Sequence, residues 1–531
     1  MSYQVSILYL LGSLSVYAVY KVAKLLYDDW TAPIRSLPGP PNPSFIFGNT
    51  KQFMEKPDII REEWIQQYGP TINFKVLFGL NRLFTIDTKA LNHVLMNYHV
   101  YQKPEAPRHA LRDIFGDGVL VVEEEKHKQQ RKIMNPAFGT SHIRELTEIF
   151  VEKSIELRDV WMREINNPEP NSQVEVLSWL SKMTLDVIGK AGFNYNFDAL
   201  SGKTNELNQA FSAIFESATS VSLLAIARQF FPSLRFIPSP KDSKIKTSRQ
   251  TMDRIGTELM KESKADLTNQ KTSWTRRDLL SLLIRANLST DLPAGQRMSD
   301  KDVLAQVPTF LVAGHETTST GTMWALFALS QNLPAQAKLR QEVMSVSTDN
   351  PTMDELNALP YLDAVVRETL RVHPPVAASS RQAVHDDFLP FRKPIMDRNG
   401  KMIDGVLIKK GQALIIPIKA VNRDKSIWGE DANEFKPERW EKIPEAASMI
   451  PGTWGNLMTF LGGPRACIGY RFSLVEMKAL LFTLIRAFEF GLAVPSEDIG
   501  TKTFIVQRPF LKSNPKAGNQ MPLILKPVAQ A

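Results

Sequence analysis

One cysteine, Cys467, has to serve all 531 residues, and that scarcity is the first constraint on the fold. No intrachain disulfide can form and no multi-cysteine zinc site can be built, so the chain must hold itself together by burying apolar surface. It has the means. Hydrophobic residues make up 43% and charged residues 23%, the proportions of an ordinary globular protein. The length is several times that of a usual domain, although one large core remains open to it. A net charge of +8 points to an acidic partner or an anionic membrane surface. The Lys and Arg are scattered and no RNA- or DNA-binding signature stands out, so no nucleic-acid partner is expected.

The N-terminus adds a second constraint. Val5 to Tyr20 carries no charge, and Val22, Ala23, Leu25 and Leu26 extend the apolar run past Lys21 and Lys24. A spanning helix needs roughly 20 apolar residues, and lysines at its edge can snorkel to the interface. There is no basic region before the run and no clear small-x-small cleavage site, which argues against a cleaved signal peptide. Residues 1–27 therefore read as a single transmembrane anchor, and the positive charge behind it places the body on the cytoplasmic side. Residues 28–44, rich in proline, read as a stiff extended hinge. The remaining chain, 45–531, reads as one catalytic domain.

Within it, 71–79 and 83–87 form an expected strand pair around a Gly-Leu-Asn turn. From about Thr88 to Pro374 helical spacing dominates, with Ile143, Leu146, Phe150, Leu157 and Trp161 on one face. Short strands return from Phe388 to Ile418, turning at Asn399-Gly400 and Lys410-Gly411, and a last strand is expected at 503–509. The expected class is mainly α, with a minor sheet contributed by both ends of the sequence. Pro308 lies in a long apolar helix and is expected to bend it.

The cysteine sits in FLGGPRACIGYRF, residues 460–472. A lone cysteine is usually a small buried hydrophobe. Here Gly462, Gly463 and Gly469 permit close backbone approach, a helix begins just beyond the loop, and Arg465 is two residues away. Helix N–H groups and a cation favour a thiolate, which suits either a nucleophile or a ligand for a soft metal.

The pattern Phe460-x-x-Gly463-x-Arg465-x-Cys467-x-Gly469 resembles the haem-thiolate loop of the cytochrome P-450 monooxygenases. Three further segments resemble parts of that family in the same order: AGHETTSTG at 313–321, Glu368-x-x-Arg371, and Pro437-Glu438-Arg439-Trp440. The resemblance covers the chain from about Leu37 onward. It implies a cytochrome P-450 fold behind the transmembrane helix, of the eukaryotic microsomal type and with fungal-like wording, in keeping with secondary metabolism.

It also implies roles. Cys467 would be the axial ligand of haem b iron, its charge favouring O–O cleavage, with Phe460, Gly463 and Gly469 shaping the loop. Glu316 and Thr317 would be the acid and alcohol that organise proton delivery, although mid-helix threonine commonly bonds back to its own helix. Arg131, Arg381 and Arg465 would neutralise the haem propionates. His127 stands where the family usually has Trp and is a further candidate for a propionate. Glu368, Arg371 and Arg439 would form a structural triad. Ala313, Val376, Ala377, Phe504 and Ile505 would line an apolar substrate pocket, with residues 211–236 as its lid. An apolar lining selects a lipophilic substrate such as a terpenoid, sterol or fatty-acid-like molecule.

No flavin- or nicotinamide-binding segment is recognisable, so electrons would come from NADPH through a cytochrome P-450 reductase, with cytochrome b5 as an additional donor, at the endoplasmic reticulum membrane. A haem-thiolate isomerase or dehydratase that needs no reductase, a non-catalytic haem-binding membrane protein and a thiol hydrolase are the alternatives. The intact Glu316-Thr317 pair favours the monooxygenase.

Overall fold

The computed structural model describes residues 2–55, 57–166, 173–203, 205–207, 209–210, 224, 228, 234, 237–268, 278–288, 296–503 and 505–528. The expected lid at 211–236 lies almost wholly outside the described residues, and so does Phe504.

Helix α1, Ser2–Trp30, leads into strands β1 (Thr71–Lys75) and β2 (Asn81–Thr85), helix α2 (Thr88–Met96) and strand β3 (Tyr101–Gln102). Helices α3 (Glu124–Met134) and α4 (Thr140–Ile165), strand β4 (Gln173–Glu175) and helix α5 (Val176–Phe193) follow. Helix α6 (Gln306–Gln331) runs through the centre, ahead of α7 (Pro360–Val372). Strands β5 (Ser379–Ala383), β6 (Asp387–Met396), β7 (Met402–Ile408) and β8 (Ala413–Ile416) come next. Helix α8 (Tyr470–Ala487), β9 (Phe488–Leu492), β10 (Ile499–Thr503), β11 (Gln507–Leu511) and β12 (Pro522–Pro527) close the chain.

The largest sheet has the order β1-β2-β8-β5-β3, so strands from opposite ends of the sequence do meet in one sheet. β1 and β2 pair antiparallel, with Phe74 opposite Arg82. β2 runs parallel to β8, with Leu83 opposite Leu414. A second sheet, β4-β12-β9, again joins distant segments. On α4 the apolar face read from spacing is the buried face: Ile143, Leu146, Phe150, Leu157 and Trp161 are all in the core.

Four expectations change. The strand expected at 503–509 is a hairpin, β10 against β11 with Thr503 opposite Gln507. The chain reverses so that Gln507 can accept from the Trp324 indole and give its N–H to the Pro375 carbonyl. Pro308 does not bend a helix interior. The break falls at Ala305, the N-cap of α6, and puts Pro308 in the first turn, where its missing N–H costs nothing. The proline-rich stretch after α1 is packed against the body rather than standing free as a spacer: Ala32, Ile34 and Leu37 are buried, and the Pro38 carbonyl accepts from Asn73 N–H.

The fourth concerns the expected transmembrane helix. Among the described residues no helix is long and apolar enough to cross a membrane. α1 has the length, 29 residues or about 43 Å. It runs unbroken through Lys21, Lys24, Asp28 and Asp29, and its last turn is tied to the sheet. Asp29 Oδ1 accepts from Asn81 N–H at 2.7 Å and its carbonyl accepts from the Asn81 side chain at 2.9 Å.

Candidate haem site and proton-delivery helix

The loop before α8 is shaped by contacts that only glycine permits. A Cβ on Gly462 would lie 1.8 Å from the Pro451 carbonyl oxygen. Gly463 has φ 68 and would crowd the Leu95 carbonyl. These contacts set a turn in which Cys467 N–H donates to the Phe460 carbonyl, while the Phe460 ring stands edge-on to Trp454 with centroids 5.7 Å apart.

Cys467 has accessible surface, yet burial is the largest influence on its thiol and pushes its pKa up, against the Gly469 N–H and Arg131. The two observations agree if the sulfur lines an internal cavity. In the chain alone, burial acts on this thiol more strongly than the Gly469 N–H and Arg131 do. The expected cation changes. Arg131, not Arg465, acts on the sulfur, and it also donates to the Ala466 carbonyl at 2.8 Å.

Arg465 turns to the Glu123 carboxylate and the Val122 carbonyl. Glu123 also lies 3.8 Å from Lys103 Nζ and acts on Arg381. Arg381 is anchored by Ser379 Oγ at 2.9 Å. His127 is buried, and burial, with Arg465, Lys103 and Arg131 beside it, lowers it to about 3. Burial and neighbouring cations also pull Lys103 down to about 7 and Arg381 to about 10. Sequence reasoning missed Lys103 and Glu123, which no local motif marks. Three basic side chains, Arg465, Lys103 and Arg381, thus gather round the Glu123 carboxylate, with the neutral His127 imidazole and Arg131 alongside. Such a cluster is stabilised by an anion.

The triad forms. Arg371 and Glu368 are fully buried and meet through two bonds of 2.8 Å. Arg371 spends its remaining three donors on the carbonyls of Asn422, Ala432 and Glu434, so all five guanidinium N–H groups are used. Arg439 Nε reaches Glu368 at 3.3 Å, and Trp440 Nε1 donates to the same carboxylate at 3.0 Å. The network continues to the thiol loop, because Asn422 donates to Thr459 Oγ1 and accepts from Met458 N–H.

α6 is buried at every residue from Gln306 to Ser330 except Ala313, Gly314 and Thr317. Ala313 and Thr317 lie one turn apart and share a face, while Gly314 is turned toward Ile188 on α5. Phe138 connects this helix to the thiol loop: its ring is 5.5 Å from that of Phe310 and would touch a Cβ on Gly469 at 3.8 Å. Gly469 has φ −89 and meets nothing else, so the protein itself does not demand glycine there. A flat group laid against the loop would.

Thr317 Oγ1 donates to the Ala313 carbonyl at 2.7 Å, leaving its lone pairs on the open face. Glu316 is 6% exposed and faces His315 and Arg508. Val376 and Ile505 are half-buried. Ala377 is corrected as a pocket residue: it is 1% exposed, and its carbonyl is bound by Lys419 N–H, which turns it into the core.

Residues 38–511 match the Cytochrome P450 family. The chain is a cytochrome P450. Its similarity to curated proteins extends over almost its whole length. Cytochrome P450 monooxygenase 128 of Postia placenta is 54% identical over 528 residues, covering 97% of this chain and 96% of that protein. Cytochrome P450 monooxygenase 205 of the same fungus is 52% identical, covering 96% of each. Cytochrome P450 monooxygenase claP of Ampulloclitocybe clavipes is 36% identical over 90% of this chain and 89% of its own. The P450 is thus a monooxygenase, an oxidoreductase, with fungal relatives. Membership implies a haem-thiolate group, and the chain fits one: an accessible sulfur in a glycine loop, room at Gly469, and a surplus of buried cations.

Proposed function

We propose that this P450 inserts one atom of dioxygen into a lipophilic substrate, a terpenoid, sterol or fatty-acid-like molecule of secondary metabolism. Electrons would come from NADPH through a cytochrome P450 reductase, with cytochrome b5 as an additional donor. The observation that carries this reading is the accessible face of α6 at Ala313 and Thr317, on a helix whose central residues are otherwise packed and which is connected through Phe138 to the thiol loop.

Cys467 would hold haem b through its sulfur. Arg131, Arg381, Arg465 and Lys103, with His127 as a neutral N–H donor, would hold its carboxylates. When bound, the haem supplies dioxygen activation, to which the thiolate contributes electron density. Thr317 Oγ1 offers an acceptor on the open face, and Glu316, next along the helix, can hold a proton for it. Val376, Ile505 and Ala313 have surface for an apolar substrate. Their side chains carry no charge, so shape and hydrophobicity select it.

α1 supports a membrane location, proposed as the endoplasmic reticulum with the catalytic domain facing the cytoplasm. Tyr9, Val16, Val19, Leu25 and Leu26 are exposed along it, more apolar surface than one helix usually leaves to water.

The test is expression with a reductase, a lipid panel and product analysis. Wild-type protein should show the thiolate signature in its reduced, CO-bound spectrum and NADPH-dependent products, and Cys467→Ser should lose both. Product formation that needs neither NADPH nor dioxygen would instead favour the isomerase or dehydratase reading.

A further inference from the structure

The base of α1 carries a group of charges that the haem site does not use. Lys75, on β1, is half-buried, with Nζ 2.7 Å from Asn81 Oδ1 and 3.8 Å from Asp29 Oδ2. Burial is the largest influence on it and pulls its pKa down; Asp29 opposes this, and Arg35 and Arg398 add to the depression. Arg35 lies over the Trp30 ring and donates to the Trp30 carbonyl. Arg398, in the turn between β6 and β7, donates from Nε to the Leu37 carbonyl at 2.8 Å and from its backbone N–H to the Ser36 carbonyl at 2.7 Å. Three cations are thus drawn together over one carboxylate, which Arg82 shares and Asn81 binds twice. Of the acids near in sequence, Asp28 lies about 100° further round α1, and Asp397 accepts from the N–H groups of Asn399 and Lys401. Surplus positive charge of this kind is stabilised by an anion.

The surroundings select the anion. Trp30, Phe45, Phe47, Phe78, Met396 and Met402 are all exposed. Backbone bonds tie their segments to the cluster: Phe78 N–H donates to the Ile46 carbonyl, Asn49 N–H donates to the Lys75 carbonyl, and Met396 pairs with Met402 across the hairpin that carries Arg398. Phe78 has φ 59, a costly conformation for a bulky side chain, and such strain points to use at the surface. A dissolved phosphate gains nothing from an apolar rim. A phospholipid meets both parts at once, phosphate on the cations and acyl chains on the rim, and an indole such as Trp30 settles at the level of the headgroups.

We propose that Arg35, Lys75 and Arg398 form a binding site for the phosphodiester of an anionic phospholipid, framed by the exposed aromatic and methionine side chains around them. The body of the protein then grips the bilayer surface itself, beside the point where α1 leaves it. This inference deepens the proposed membrane location and rests on it.

The test offers the full-length holoenzyme a mixture of phosphatidylcholine vesicles and vesicles that also contain phosphatidylserine, and measures its partition. Wild type should favour the anionic vesicles, and high salt should abolish the preference. Arg35→Gln combined with Arg398→Gln should lower the preference about tenfold or more, while the variant stays bound to phosphatidylcholine and keeps its CO-bound spectrum. Lys261→Gln combined with Lys442→Gln removes the same charge from exposed positions elsewhere and should leave the preference intact. Equal loss in the two pairs would show attraction by net charge alone and overturn the site. Should the arginine pair lose its haem, Arg35→Gln alone decides, with an expected loss of about threefold; an unchanged preference overturns the site. Wild type that binds both vesicles equally sinks the site and leaves the membrane location standing. Wild type that binds neither sinks both.

Discussion

Glu476 illustrates what one buried side chain can impose. It lies inside α8, burial pushes its pKa well above 4.5, and the only opposing influence is the Thr318 hydroxyl. Neither carboxyl oxygen makes a hydrogen bond of normal geometry. The folded protein keeps this group protonated where the unfolded chain would ionise it. Its contribution is therefore fully present below about pH 4.5 and is lost as pH rises through the folded value. Glu476→Gln should be more stable than wild type at pH 8 and gain less at pH 5, as read from urea midpoints. Equal differences at the two pH values would contradict the assignment. Glu368 behaves differently, being paired with both Arg371 and Arg439. Glu368→Gln leaves Arg371 and Arg439 short of a counter-charge and should cost about 3–5 kcal/mol, measured as a lower urea midpoint and early haem loss. Cys467, Glu368 and Arg371 were legible in the sequence because each belongs to a short local pattern. Glu123, Lys103 and Arg508 were not. Their roles arise from contacts across hundreds of residues, as with Glu123 and Arg465, 342 positions apart.

At the scale of elements, the crossing of α5 and α6 is the most extensive helix contact among the described residues, and Gly314 sits within it. A Cβ there would come within 2.9 Å of Ile188 Cδ1 and Cγ1. Gly314→Ala should overpack the crossing at about 1–3 kcal/mol, lowering the thermal midpoint, and Ile188→Val in the same chain should recover part of the loss. No recovery would mean that the helices adjust elsewhere. The helices and the strand pair at 71–87 could be read from periodicity and turn residues. The hairpin at β10–β11 could not, because an apolar run that doubles back looks like one strand until its partners, Trp324 and Pro375, are known. The start of α6 at Ala305 was hidden for a similar reason: Pro308 costs much in a helix interior and nothing in a first turn, and the residues alone do not say which it occupies.

At the scale of the whole molecule, the sheet fastens the two ends of the sequence together, and α1 is fastened to the sheet. Asp29→Ala removes the bond from Asn81 N–H and the pairing with Lys75 at 3.8 Å. It should leave the CO-bound spectrum unchanged while altering the protease sites exposed on vesicle-bound protein. An identical digestion pattern would show that this attachment does not set orientation. With Asp29 in place, α1 and the body turn as one piece. Were α1 to lie in a bilayer, as proposed, the protein would ride at a constant draught and heel, like a keeled hull. The same rim of the domain would then always sit at the lipid surface, and the proposed hydrophobic guest, on leaving the membrane, would board at that rim each time.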